Sequence, residues 1–277
     1  LYEKMKSIQK KYDVNIYSVE SGLSSSGVDL GSGYVMPLNK PSAMMLIGTG
    51  VRSYEAGEVW HLLDQRVGMP ITKVPMRNFD NISMDKYNVL VLVSGNYKFS
   101  DNQIEKIKTW AENGNTIISI GSGSKLLIDK KIVDENLLEK EESNAMNYLA
   151  YGDARENRGK EQIGGVILNS IIDLSHPLAF GYENNSLPLY KNNSIWLKPS
   201  KNNYSSVVRY SENSLIDGFL SENNKAKIKE SVSLVVSRVG RGIAVMFADN
   251  PNFRGAWYGT NRLFLNAILL GDKIYIP

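Results

Sequence analysis

A few side chains in this sequence have the types and spacing to do chemistry. Ser122 and Ser124, in the run Gly121-Ser122-Gly123-Ser124, offer hydroxyl nucleophiles, and Glu55 and Glu58 are the carboxylates that would have to activate them. Histidine is the usual base, and the chain has two: His61 inside a helical pattern and His176 ahead of Pro177 in a loop. His61 and Asp64 are three residues apart and share a helix face, yet two ligands make a poor zinc site. His61 with Trp60 reads instead as flanking a helix–sheet packing interface, with Asp64 solvated. Cysteine is absent, which removes thiolate nucleophiles, thiolate zinc sites and disulfides together. Three glycine-bearing loops, Gly48-Thr49-Gly50, Ser94-Gly95-Asn96 and Gly121-Ser122-Gly123-Ser124, invite a phosphate reading. None carries the Lys-Ser/Thr pair of a P-loop or the dinucleotide spacing, so they read as tight strand-to-helix turns.

The elements that must position these residues follow from hydrophobic periodicity. Continuous apolar runs over 43–47 and 89–93 predict buried parallel strands, 116–120 reads as another buried strand, and 71–74 as a short one. Helical stripes fall between them, on Ala56, Val59, Leu62 and Leu63, then on Ile104, Ile107, Trp110 and Ala111. Ser100 and Gln103 form a capping box for the second of these helices, and Gly114 stops it. Strands are expected at 164–172, 205–210, 231–238 and 243–247, the last two an antiparallel pair around the turn at 239–242. A closing helix carries Leu263, Phe264, Ala267 and Ile268. Residues 139–160, charged and Asn-rich, read as a helix with an exposed excursion. Alternating strands and helices with short loops predict an α/β, flavodoxin-like, doubly wound, mostly parallel sheet with helices on both faces and an antiparallel edge. Residues 1–40 are expected to be a lead-in segment, with a short helix, an extended stretch at 15–19 and a Ser/Gly-rich loop. Residues 41–277 are expected to be the α/β domain. The start at Leu1, inside a charged helical pattern, reads as a piece of a longer protein.

Composition narrows the partners. The formal net charge is +3 over 277 residues, with Lys and Arg spread along the chain, so no concentrated basic face for nucleic acid is expected. No apolar run approaches the ~20 residues that cross a bilayer as a helix.

Ile118-Ser119-Ile120-Gly121-Ser122-Gly123-Ser124-Lys125-Leu126-Leu127 resembles the nucleophile elbow of class I glutamine amidotransferases. Their pattern is apolar-Gly-Ile-Cys-x-Gly-His-Gln-Leu-Leu. Aligned on Gly123 and the Leu126-Leu127 pair, the nucleophile's position falls on Gly121. Residues 87–97 resemble the family's preceding strand and oxyanion loop. Residues 244–251 resemble the strand that carries the triad histidine, and Ala248 stands in its place. The resemblance implies the fold without its thioester chemistry, because nucleophile and base are both missing. Neither histidine lies after the late strand, where that fold would put a base for Ser122 or Ser124.

Longer stretches carry a narrower resemblance. Tyr54-Glu55-Ala56-Gly57-Glu58-Val59-Trp60-His61-Leu62-Leu63-Asp64, Ser175-His176-Pro177-Leu178-Ala179-Phe180-Gly181-Tyr182 and Phe247-Ala248-Asp249-Asn250-Pro251-Asn252-Phe253-Arg254 are similar to the C-terminal amidotransferase-like region of large bacterial zinc carboxypeptidases. This implies an exported parent with a zinc-binding peptidase domain upstream, no cofactor in this chain, and that peptidase domain as partner. Glu55, Glu58, Asn96, Ser122, Ser124, Asp249, Asn250 and Arg254 are expected near strand ends, where they would line a residual pocket for a peptide or carbohydrate. The plainer alternative has Glu58 capping or solvating its helix and Asp249-Asn250-Pro251 forming an Asx-type turn. A standalone hydrolase using Ser122 or Ser124, and a sugar-binding or self-association module, stand as rival functions.

Overall fold

The computed structural model describes residues 1–138 and 150–277. They fall into two compact units, Leu1–Leu38 and Asn39–Pro277. The first unit holds α1 (Tyr2–Tyr12), which ends where Asp13 turns left-handed. The stretch expected to be extended at 15–19 pairs with no strand.

The second unit alternates as its apolar runs require. In chain order it contains β1 (Ala43–Ile47), α2 (Ser53–Trp60), β2 (Ile71–Pro75), β3 (Val89–Leu92), α3 (Asp101–Glu112), β4 (Thr116–Ile120) and α4 (Ser122–Asp129). There follow α5 (Ala154–Glu161), β5 (Val166–Ile172), β6 (Ser186–Lys191), β7 (Ser206–Gly218), α6 (Glu222–Lys229), β8 (Val232–Val239), β9 (Gly242–Phe247) and α7 (Asn261–Leu270). The helix α2 runs on into a π-helical stretch, His61–Val67, closed by Gly68. Of the segment expected to be helical at 139–160, residues 139–149 lie outside the described residues. The remainder holds a short turn and α5, which buries no side chain.

Among the described residues, nine strands form one sheet in the order β2-β1-β3-β4-β9-β8-β7-β5-β6. The first five are parallel, and β8, β7, β5 and β6 extend the sheet antiparallel. The antiparallel part is therefore a four-strand wing, larger than the expected pair. Its β6 is absent from the sequence expectation, and β7 continues eight residues past Tyr210.

Alternation along the central strands explains the two helical layers. On β1, Met45 points into one core and Met44 and Leu46 into the other; on β9, Val245 and Phe247 oppose Ala244 and Met246. Helix α2 with its π-helical continuation, and α7, cover the first face through Val59, Leu63, Phe264 and Ile268. The second face is covered by α3 and α4 through Ile107, Trp110 and Leu127. Each such fully buried side chain is worth roughly 1.5–3 kcal/mol of apolar transfer. The capping box of α3 is present: Gln103 N–H donates to Ser100 Oγ, and Ser100 N–H donates to Gln103 Oε1 at 3.0 Å. This architecture delivers the exits of β1, β3, β4 and β9 to the same end of the sheet, where α/β proteins bind ligands.

Candidate functional site

The exit of β4 is a sharp elbow. Gly121 has φ 56° and ψ −120°, a conformation that an L side chain rarely adopts. Its N–H donates to Phe247 O at 2.8 Å, fixing the elbow to the end of β9. A Cβ on Gly121 would overlap Ser94 Oγ, so the space that a nucleophilic side chain would leave through is filled by the neighbouring loop. Two residues further, a Cβ on Gly123 would run into the Leu92 carbonyl, and the missing side chain is what lets α4 sit against β3.

The two serines of the elbow do different things. Ser122 Oγ accepts the Gly95 N–H at 2.8 Å and donates to the Gly95 carbonyl at 3.0 Å. Ser124 is fully buried, bonded to Ser119 Oγ and to the Phe247 carbonyl, both at 2.9 Å. Ser124 therefore staples α4 to β4 and β9 and does not line a pocket, contrary to the sequence expectation. Among the described residues no histidine bonds to either serine.

The loop after β3 is closed from within. Ser94 N–H donates to Glu55 Oε2 at 2.8 Å, Gly95 N–H to Ser122, and Asn96 N–H to the Gly50 carbonyl at 2.6 Å. An oxyanion hole needs such donors aimed at the reacting oxygen. Here all three are taken by acceptors of the protein itself.

The other expected residues divide into a cleft and a buried network. A cleft of about 790 Å³ is lined by Arg52, Tyr54, Glu55, Glu58, His61, Asn192, Asn250, Phe253 and Arg254, among others. Of the residues proposed for a pocket, Glu55, Glu58, Asn250 and Arg254 line this cleft, while Asn96 is exposed outside the lining. His61 is exposed toward this cleft, not packed on the sheet, and Asp64 is half-buried. Glu58 accepts from Asn250 Nδ2 at 2.5 Å and from the Arg254 N–H at 2.6 Å. That second bond holds Arg254 in the left-handed region, φ 52°. Burial, reinforced by the nearby Glu55 charge, raises the Glu58 pKa above 4.5, although both hydrogen bonds oppose the shift. Asn250 Oδ1 accepts the Asn252 N–H at 2.9 Å, the Asx-type turn of the plainer reading.

Asp249 is buried, so it does not line the cleft either. It accepts from Lys191 Nζ at 2.9 Å, Tyr210 OH at 2.6 Å and Ser233 Oγ at 2.7 Å. Lys191 is wholly buried, with its ammonium 4.5 Å from the centre of the Trp196 ring, and desolvation lowers its pKa while Asp249 opposes the shift. Lys191, absent from the expected site, ties the far edge strand β6 to the exit of β9.

With this geometry in view, likeness to solved structures fixes the fold. A ThuA-like protein from Parabacteroides merdae ATCC 43184 superposes with a TM-score of 0.58 at 14% identity, over 84% of this chain and 90% of that one. A chain of the PurLQS structure from Thermotoga maritima superposes with a TM-score of 0.51 at 15% identity, over 82% of this chain and 97% of that one. The fold is the class I glutamine amidotransferase-like one. No family model matches the chain, and no curated protein matches it in sequence. Among the described residues there is no group of three His, Cys, Asp or Glu placed to hold a metal ion, and no helix long and apolar enough to cross a membrane.

Two outcomes follow from the charges. Lys191→Met strands the buried Asp249 carboxylate and should cost ~3–5 kcal/mol in urea denaturation, with part recovered in Lys191→Met/Asp249→Asn. A loss under ~1 kcal/mol would show that the pair is not the tie described. For Glu58, the raised native pKa means the folded state keeps a proton that the unfolded chain sheds above about pH 4.5. Its contribution therefore falls as pH rises from there through the native pKa. The stability of the wild type minus that of Glu58→Gln should decline over that window, and a flat or rising difference would contradict the assignment.

Proposed function

We propose that this chain is a non-catalytic accessory domain, a degenerate amidotransferase fold that serves as a binding or structural module of an exported zinc carboxypeptidase. The observation that carries the non-catalytic half is the closed elbow. Gly121 stands at the nucleophile's position, Ser94 Oγ fills the space beyond its Cα, and the 94–96 N–H groups are bonded internally. Ala248 supplies no base at the exit of β9. Thioester chemistry requires nucleophile, base and oxyanion donors together, and the arrangement favours a fold kept for its surfaces.

The peptidase half rests on the resemblance of 54–64, 175–182 and 247–254 to the C-terminal region of such enzymes. On this reading the zinc lies in an upstream domain, which is also the principal partner, and the parent is exported. The 54–64 and 247–254 segments meet in the structure, since Glu58 of one holds Asn250 and Arg254 of the other. Together they line most of the cleft, so two of the three segments that carry the resemblance converge on one surface. That surface suits either support of the catalytic domain or recognition of part of its substrate.

An antibody raised against this chain, used on its source cells, tests the link. The expected result is a native product much heavier than this chain that purifies with stoichiometric zinc. A product of this chain's own size without zinc would overturn the peptidase assignment.

A further inference from the structure

The cleft at the strand exits is lined by two arginines, Arg52 and Arg254, and two glutamates, Glu55 and Glu58, and the two carboxylates are held differently. Glu55 is matched: its Oε1 lies 3.1 Å from Arg52 Nη1, and its other oxygen takes the Ser94 N–H. Glu58, one turn on, is half-buried and has no cationic side chain within ion-pair distance among the described residues. Its hydrogen bonds come from a neutral amide and a backbone N–H. A half-buried carboxylate of this kind is held at a desolvation cost that a cation would offset. The carboxylate borders an open space of about 790 Å³, large enough for a side chain or chain end of a ligand.

The walls suit a cation as well. Tyr54 is 85% exposed at the mouth, and Phe253 stacks on Tyr190 with ring centres 3.8 Å apart, which fixes the orientation of its ring. Aromatic faces near a carboxylate attract ammonium and guanidinium groups through their quadrupoles. The one cation already beside Phe253, Arg254, has its guanidinium 5.4 Å from the ring centre and is exposed, free to swing toward solvent or toward a ligand's carboxylate.

We infer that this cleft binds the protonated amine or guanidinium of a peptide, seated against the Glu58 carboxylate beside Tyr54 and Phe253. The inference rests on the reading of the chain as a binding module and supplies the class of its ligand. Both an amino terminus and a basic side chain present this chemistry, and the test separates them.

The probes are four, measured by isothermal titration calorimetry on the full chain at low and high salt. They are acetyl-Gly-Lys-Gly-amide (side chain only), Gly-Gly-Gly-amide (terminus only), acetyl-Gly-Gly-Gly-amide (neither) and a neutral trisaccharide. At least one of the two amine-bearing peptides should bind, weakening with salt and at least ~10-fold tighter than the doubly blocked peptide, as expected for charge-assisted hydrogen bonds. Whichever amine-bearing peptide binds identifies the source of the cation. Glu58→Gln should remove the preference for the amine, and because all four probes are also compared on the wild-type protein, the result stands even if that variant folds poorly. Equal binding of the blocked peptide, binding of the trisaccharide alone, or no binding of any probe would overturn the inference. The first two of those outcomes would leave the binding-module reading intact. Hydrolysis of a probe would instead count against the non-catalytic reading itself.

Discussion

The carboxylate of Glu55 accepting the Ser94 N–H ties together the end of the sheet at which the candidate site lies. That bond joins α2 to the loop after β3. It also begins a short series in which each backbone donor of residues 94–96 finds an internal acceptor: Glu55, Ser122, then Gly50. Buried or half-buried N–H groups must be satisfied, and an enzyme with this fold would leave some of them for its substrate's oxygen. Here the protein satisfies them itself. The same loop places Ser94 Oγ where a Cβ on Gly121 would fall, so the closed loop and the glycine at 121 share one packing arrangement.

The parallel half of the fold was legible because its interior strands β1, β3, β4 and β9 are buried on both faces and read as apolar-rich runs. The antiparallel wing was not. Strand β6 alternates exposed and buried residues around Pro188, a residue that argues against a central strand and is acceptable here because β6 is the edge. The far half of β7 runs through Ser211, Glu212 and Asn213, polar residues that give no strand signal without the neighbouring strand. Helix α6 buries only Asn224 and Ile228, too little for an apolar stripe, although Ser221 caps it in the usual way.

The site was legible in part for the same physical reason. Glycines at 121 and 123 carry their meaning in the sequence, since only a positive φ and a close helix–strand approach require them. The roles of the polar residues depend on partners distant in the chain. Nothing around Lys191 marks it as buried, because its counter-ion Asp249 is 58 residues away and its aromatic cover comes from Trp196 and Tyr210. Ser124 and Asp249 have the right types for a pocket but are consumed by the core, whereas Glu58, which a solvated helix face would also explain, faces the cleft.

What the fold retains is a set of strand ends brought to one place and a cleft beside them. At the exits of β4 and β9, Gly121 and Ala248 carry no reactive side chain, and the central proposal is that the chain is non-catalytic. Incubation with a serine-reactive fluorophosphonate, followed by intact mass measurement, tests it most directly. The expected result is an unmodified protein, because Ser122 is bonded to both the N–H and the carbonyl of Gly95 and, among the described residues, to no base. A stoichiometric adduct on Ser122, lost in Ser122→Ala, would contradict it and make the elbow an active site.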